Sequence, residues 1–491
     1  ANKTMGQGGF REVEQMNLFK DMVCYQEEVR DPSRMAEVLN RVIEKAIRGS
    51  APAQINVPRD YWTQVIDIDL PPIVRLERQG GGVEAISKAA ELLSNSKFPV
   101  ILSGAGVVIG NAINETKKLA EKLDSPVCSG YQHNDSFPGS HALAVGPLGY
   151  NGSKAAMELI SKADVVLALG TRLNPFSTLP GYGIDYWPKK ASIIQVDINP
   201  DRIGLTKKVT VGISGDAKLV AEQIFEKLSP NAGDIDRQKR KDLIHQTKSA
   251  WLQKLSSLDH EEDDEGTFWN KEAREREADR MSPRQAWRAI QAGMPNDVII
   301  SSDIGNNCAI GNAYPTFEKP RKYLAPGLFG PCGYGFPSIL GAKIGCPNTP
   351  VIGFAGDGAF GISMNEMSSC AREEWPAITM VIFRNYQWGA EKRNTTLWFD
   401  NNFIGTELDP KLSFAKVAEA CGLKGVTVKT MEETTNAIKQ SCEDQKKGIT
   451  TFIEIILNQE LGEPFRRDAM KKPVKVAGIN KEDMKKQPSI I

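Results

Sequence analysis

Apolar residues along this chain fall into two rhythms, one of helical spacing and one of short unbroken runs. Met35, Val38, Leu39, Val42 and Ile43 recur at helical spacing, which predicts a helix from Pro32 to Arg48. Ala53 to Val57 reads as a strand, ended by Pro58, which drives the residue before it to extended backbone. Residues 1–70 hold too few apolar positions to bury a core of their own. Pro71-Pro72 and Gly80-Gly81-Gly82 then break the pattern.

Over residues 83–230 the two rhythms alternate. Pro99–Leu102, Val165–Leu169 and Ile193–Val196 read as strands, and Asn111–Leu123 and Asp216–Leu228 as helices. That alternation predicts a parallel sheet wrapped by helices. Residues 231–281 are dense in charge, including Glu261-Glu262-Asp263-Asp264-Glu265, and read as a solvated connector. Ser282-Pro283 opens a further domain, residues 282–462, as a helix N-cap with proline at the first helical position. In it, Val298–Ser301, Val351–Ala355, Ile378–Phe383 and Phe452–Leu457 are β-rich runs of the type buried on both faces of a parallel sheet. Helical patterns such as Ile362–Arg372 and Phe414–Cys421 separate them. Residues 463–491, rich in lysine and broken by Pro464, Pro473 and Pro488, read as an extended tail.

Composition narrows the class. A chain of 491 residues exceeds one core. Lys+Arg and Asp+Glu balance at 61 each, so no global field favours nucleic acid or an anionic membrane. Eight scattered cysteines without a Cys-x-x-Cys pair, and no apolar run of membrane-spanning length, point to a cytoplasmic enzyme with reduced thiols. The four histidines all precede residue 261, so the last domain does its chemistry without them.

The chemistry concentrates between Val351 and Gly389. A buried strand runs into Gly356-Asp357-Gly358-Ala359, and a helix follows. In open α/β sheets anions collect at such strand ends, where first-turn N–H groups are free. Glycine on both sides of Asp357 lets a diphosphate approach the backbone, and Asp357 adds a hard oxygen ligand. The next strand ends at Asn385-Tyr386-Gln387-Trp388-Gly389, where Asn385 can add an amide oxygen. One carboxylate, an amide and a diphosphate suit Mg²⁺, which binds few protein ligands and keeps phosphates and water.

This spacing resembles the signature of thiamine-diphosphate enzymes, Gly-Asp-Gly followed by an Asn-Asn pair, with Arg384 in place of the first Asn. The resemblance implies the fold of that superfamily: successive doubly wound parallel-sheet α/β domains, here with the N-terminal domain incomplete. It implies thiamine diphosphate and Mg²⁺ as cofactors, with Asp357, the Asn385 side chain and the Gln387 backbone carbonyl as metal ligands. Gly330-Pro331-Cys332-Gly333-Tyr334-Gly335-Phe336-Pro337 is similar to the segment that holds the aminopyrimidine in acetohydroxyacid synthases, with Cys332 in the place of the apolar wedge. Gly305, Asn306 and Asn307 fall where relatives contact the diphosphate. Phe137-Pro138-Gly139, Gly170-Thr171-Arg172 and Val196-Asp197-Ile198-Asn199-Pro200 resemble the superfamily's central domain.

Within the superfamily the chain resembles the sulfoacetaldehyde acetyltransferases, through Gly6-Gln7-Gly8-Gly9-Phe10, Met22 to Arg34, Ala53 to Asp60 and Leu461 to Asp468. That likeness implies conversion of sulfoacetaldehyde and phosphate to acetyl phosphate and sulfite through acetyl-thiamine diphosphate, as in taurine degradation. It implies a homodimer or homotetramer with active sites at the subunit interface. The glutamate that activates the pyrimidine is expected before residue 1, so residues 1–70 would be the C-terminal remnant of the pyrimidine-binding domain, and no catalytic residue is assigned. Arg11, Lys392 and Arg393 are the candidates for holding the two substrate anions, and Phe10 is a further candidate substrate contact. Three alternatives stay open: another lyase such as acetohydroxyacid synthase or oxalyl-CoA decarboxylase, a nucleotide-binding module at Gly104-Ala105-Gly106-Val107-Val108-Ile109-Gly110, and an assembly partner.

Overall fold

The computed structural model describes residues 2–10, 12–70, 77–257, 277, 279–327, 329–399 and 402–460. The chain divides into two compact units, 1–79 and 80–491.

In the first unit, β1 (Tyr25–Glu28) and β2 (Ala53–Asn56) pair in parallel, joined through the helix Met35–Gly49. One 3-10 turn, Pro32–Arg34, precedes that helix, capped by the Asp31 carboxylate accepting from Ser33 N. Val29, Val38 and Val42 make a small buried cluster, while Leu39 and Ile43 of the same stripe stay exposed. A two-stranded sheet offers too little surface to cover the whole stripe.

The second unit holds two six-stranded sheets, both all-parallel. The first is built from β3 (Pro99–Ser103), β4 (Val127–Ser129), β5 (Ala144–Pro147), β6 (Val165–Leu169), β7 (Ser192–Asp197) and β8 (Val211–Ser214), in the order β5-β4-β3-β6-β7-β8. Every residue of β3 and β6 is buried, as the unbroken apolar runs require of strands covered on both faces. The strand order reverses between β3 and β6, and the glycine-rich turn Gly104-Ala105-Gly106 lies at that point. Gly106 N donates to Gly170 O at 2.8 Å, and a Cβ on Gly106 would sit 2.6 Å from the Gly170 backbone. These glycines therefore pack one turn against another, which accounts for them without a nucleotide.

The second sheet is β9 (Ile299–Ser302), β10 (Tyr323–Leu324), β11 (Val351–Gly356), β12 (Thr379–Arg384), β13 (Lys424–Val428) and β14 (Thr451–Ile456), in the order β10-β9-β11-β12-β14-β13. Its strand order reverses between β9 and β11, so their carboxyl ends frame the crevice where doubly wound sheets bind ligands. The helix Pro283–Gly293 begins with a full capping box: Ser282 Oγ accepts from Gln285 N at 3.2 Å, and Gln285 Oε1 accepts from Ser282 N at 2.9 Å. Its Trp287 is buried and donates from Nε1 to Asn307 O at 2.7 Å, tying the helix to the crevice floor.

The expected solvated connector differs in its described part. Arg237–Ser257 is a helix whose stripe Arg240, Ile244, Thr247, Trp251 and Leu255 is buried. Arg240 donates to five carbonyls, those of Lys97, Leu123, Asp124, Gly233 and Ile235, which satisfies a guanidinium completely. The surrounding lysines, arginines and glutamines hid that stripe.

Side chains of residues 130–140 clasp the second sheet. Asn134 Nδ2 donates to Asn312 O and Pro315 O, each at 2.9 Å, and Asp135 Oδ2 accepts from Lys322 N at 2.9 Å and Tyr323 N at 3.3 Å. Beside them, burial pushes the His133 imidazole down to about 4. The unfolded chain binds that proton near pH 6.5 and the fold resists it, so stability is full above about pH 6.5 and falls as the pH drops toward 4. The loss is at most about 3 kcal/mol. His133→Asn should flatten that acid slope in urea titrations, and an unchanged slope would count against the burial argument.

Candidate active site

β9, β11 and β12 each end in a segment that turns into a short helix at one cleft of about 230 Å³. Its lining comprises Ile304, Gly305, Asn306 and Asn307 after β9, Gly330 and Cys332 from the loop before helix Gly335–Gly345, Gly356 to Ala359 after β11, and Asn385 with Gln387 to Glu391 after β12. All eleven residues expected to contact the cofactor are thus brought to one place. The helices after β9 and β11 are short, Asn306–Ile310 and Asp357–Ser363, so the donors there are individual N–H groups of a first turn rather than a long helix dipole.

Asp357 is buried. Its Oδ1 accepts from Gly358 N at 3.0 Å, and Oδ2 accepts from Tyr386 N at 2.6 Å and Arg384 Nη1 at 3.1 Å. Burial pushes the carboxyl up to about 6, against the pull of the Arg384 charge and these N–H groups. Tyr386 adopts a left-handed backbone, φ 60°, so Asn385 and Gln387 face the cleft on either side of it. Such a conformation is costly for a bulky residue, and the bond from Tyr386 N to Asp357 helps to hold it.

The two glycines flanking Asp357 do different work. A Cβ at Gly356 would meet nothing within 4 Å, which leaves its backbone open to a ligand. A Cβ at Gly358 would fall 2.8 Å from the Trp388 indole, so this glycine makes room for that ring. The sequence expectation of an open approach holds for Gly356 and not for Gly358. Gly305, at φ 120°, likewise faces open space.

Asp303 organises the opposite wall. It is buried, and its carboxylate accepts from Ile304 N at 2.8 Å, Gly333 N at 3.1 Å and Gly335 N at 2.8 Å. Gly335 is needed for this approach, because a Cβ there would lie 2.7 Å from Phe354 O. Cys332 is half-buried, and burial raises its thiol pKa, which keeps it a neutral, soft contact surface.

The donor set fits a diphosphate and Mg²⁺. It offers one buried carboxylate, the amide side chain of Asn385, the backbone carbonyl of Gln387, and open glycine backbone at Gly305 and Gly356. Asn385 Nδ2, Gln387 Oε1 and Asn307 Oδ1 are buried without a hydrogen-bond partner among the described residues. No group of three or more His, Cys, Asp or Glu side chains gathers among the described residues, as a metal bound mainly by protein would need.

Two of the anion candidates, Lys392 and Arg393, directly follow the cleft residue Glu391 in the chain. Lys392 Nζ pairs with Glu407 at 2.5 Å and donates to Gln459 at 3.2 Å. Arg393 is buried, its guanidinium 5.1 Å from the centroid of Tyr150. Neither lines the cleft; the charged side chain of that run which does is Glu391. On a helix beginning at Gly389, Glu391 and Arg393 point about 200° apart, a consequence of periodicity that composition alone conceals. Phe10 is exposed in the first unit, and Arg11 and Leu461 to Asp468 lie outside the described residues. Ile304, Trp388, Gly389, Ala390 and Glu391 were not among the expected contacts, although their adjacency to strand ends was a usable signal.

The fold and the cleft define an enzyme built around thiamine diphosphate. Residues 86–224 match the family of thiamine pyrophosphate enzyme central domains, and residues 303–455 match the C-terminal TPP binding domain. A probable sulfoacetaldehyde acetyltransferase of Rhizobium meliloti (strain 1021) is 78% identical over 99% of this chain and 82% of its own length. The sulfoacetaldehyde acetyltransferase of Roseovarius nubinhibens is 72% identical over 99% of this chain and 81% of its own length. A probable acetolactate synthase large subunit of Methanococcus aeolicus is 28% identical over 89% and 73%. The chain belongs to the sulfoacetaldehyde acetyltransferase family of thiamine pyrophosphate enzymes.

Proposed function

We propose that this protein converts sulfoacetaldehyde and inorganic phosphate to acetyl phosphate and sulfite. The observation that carries the proposal is near-full-length identity of 78 and 72% to proteins bearing that activity in their names, against 28% for an acetolactate synthase. The reaction needs no outside oxidant. The aldehyde carbon rises to the acyl level, while its neighbour releases sulfite with the C–S electron pair and takes up a proton to become methyl. When bound, thiamine diphosphate supplies the electron sink for the aldehyde carbon.

The protein's own residues bind and orient. Asp357, Asn385 and Gln387 would hold Mg²⁺, and the backbone around Gly305 and Gly356 would receive the diphosphate. Asp303 fixes the loop that carries Cys332 and Gly330, where the pyrimidine would rest. Arg11, Lys392 and Arg393 are proposed for the substrate anions because a sulfonate and a phosphate need cationic donors, with Phe10 as a further substrate contact. A homodimer or homotetramer in the cytoplasm completes the proposal; a monomer by light scattering would remove the oligomer from it.

The test is direct. Full-length protein, carrying the activating glutamate expected before residue 1, should with thiamine diphosphate and Mg²⁺ release one sulfite per sulfoacetaldehyde consumed, and form acetyl phosphate only when phosphate is present. Carbon dioxide release from pyruvate, with no sulfite from sulfoacetaldehyde, would instead assign the lyase alternative. In the same assay, Arg393→Ala should lower kcat/KM for one anion by about tenfold or more if it reaches that substrate. A change below about threefold for both would remove it from the site.

A further inference from the structure

Arg384 replaces the first asparagine of the motif, and its side chain is wholly buried. Nη1 donates to Asp357 Oδ2 at 3.1 Å, and Nη2 donates to the carbonyls of Asp409 and Leu412 at 2.5 and 3.0 Å. Nε lies 3.7 Å from Glu454 Oε1. Glu454 is fixed in turn by Ser413 Oγ at 2.7 Å and Phe414 N at 3.2 Å. The rings of Tyr386 and Phe414, with centroids 4.2 and 5.5 Å away, close the cage. The guanidinium is held from several sides and presents one N–H group to Asp357.

The consequence follows from counting lone pairs. A carboxylate oxygen accepts about two hydrogen bonds. Oδ2 of Asp357 takes one from Arg384 and one from Tyr386 N, and is filled. Oδ1 takes one from Gly358 N and keeps one place. We infer that Arg384 makes Asp357 a one-oxygen ligand and thereby favours Mg²⁺ over Ca²⁺ in this cleft. This rests on the proposal that Asp357 holds the metal. Mg²⁺ takes about six oxygens in a tight octahedron, whereas Ca²⁺ takes about six to eight and often uses both oxygens of a carboxylate. Occupying Oδ2 denies Ca²⁺ its second oxygen and leaves Mg²⁺ unhindered.

Equilibrium dialysis of thiamine diphosphate at varied Mg²⁺ or Ca²⁺ measures this without turnover. The quantity read is the ratio of half-saturating Ca²⁺ to half-saturating Mg²⁺, which is insensitive to a common change in affinity. In Arg384→Asn that ratio should fall by about tenfold or more, the scale of one charged hydrogen bond. Glu454→Gln alters the charge of the triad without touching Oδ2, and should leave the ratio within about threefold of wild type. An unchanged ratio in Arg384→Asn, or an equal fall in Glu454→Gln, overturns the inference. Should Arg384→Asn fail to fold, a crystal structure of the wild-type protein with Ca²⁺ and thiamine diphosphate decides. Oδ2 still bonded to Arg384 supports the inference, and both Asp357 oxygens on the ion overturns it. Ion dependence that survives in Asp357→Ala would instead sink the metal assignment, which is a separate result.

Discussion

Asp357→Ala should abolish the retention of thiamine diphosphate that depends on divalent metal. Asp357 supplies the single carboxylate among the proposed metal ligands, and alanine offers nothing in its place. Losing a contact that merely supports a ligand costs about 10- to 100-fold in metal affinity, so losing the ligand should exceed that. The fold should persist, because Arg384 keeps Glu454 and the carbonyls of Asp409 and Leu412 as partners. Thermal unfolding separates the two effects. A cofactor at about a hundred times its Kd stabilises a folded protein by about 2.7 kcal/mol. The wild-type protein should show that rise when cofactor and Mg²⁺ are added together, and the variant should not. A variant that melts like wild type in both conditions would remove Asp357 from the site.

Asp303→Ala should damage stability and cofactor binding together. Its carboxylate is the shared acceptor for Ile304 N, Gly333 N and Gly335 N, of which the last is buried. A buried donor left unpaired costs about 1–3 kcal/mol, and water can serve the two half-buried groups in part, so a total of about 2–4 kcal/mol is expected. The loop 330–335 loses its anchor at the same time, and the cofactor should bind more weakly even in the fraction that folds. Asp303→Asn retains one acceptor oxygen and should fall between. Urea denaturation reads the first effect and cofactor dialysis the second. Loss of stability with unaltered cofactor affinity would show that the loop holds its shape without Asp303.

Much of this was legible before any coordinates. Apolar runs located β3, β6, β7, β9, β11, β12 and β14, because central parallel strands are apolar on both faces. The strands without named runs, β1, β4, β5, β8, β10 and β13, are short or lie at sheet edges. β13 includes Lys424 and Gly425 and is mostly half-exposed, which no periodicity rule marks as a strand. The cleft was legible because glycine, aspartate and asparagine at strand ends are chemically distinctive. What escaped was direction. Arg240 was counted as surface although five carbonyls enclose it, and in the charged run Glu391 to Arg393 it is Glu391 that lines the cleft. Charge says that a side chain needs partners; only the backbone path says where they are.

The clasp of Asp135 on β10 bears on self-association. β10 ends its sheet, and a sheet edge offers unpaired N–H groups on which a strand from another molecule can grow. Here one carboxylate from the neighbouring domain takes the N–H groups of Lys322 and Tyr323. A foreign strand would have to displace a buried, charged acceptor before it could pair at this margin. The contact that joins the two sheets is thus also a guard against fibrous assembly along one of them.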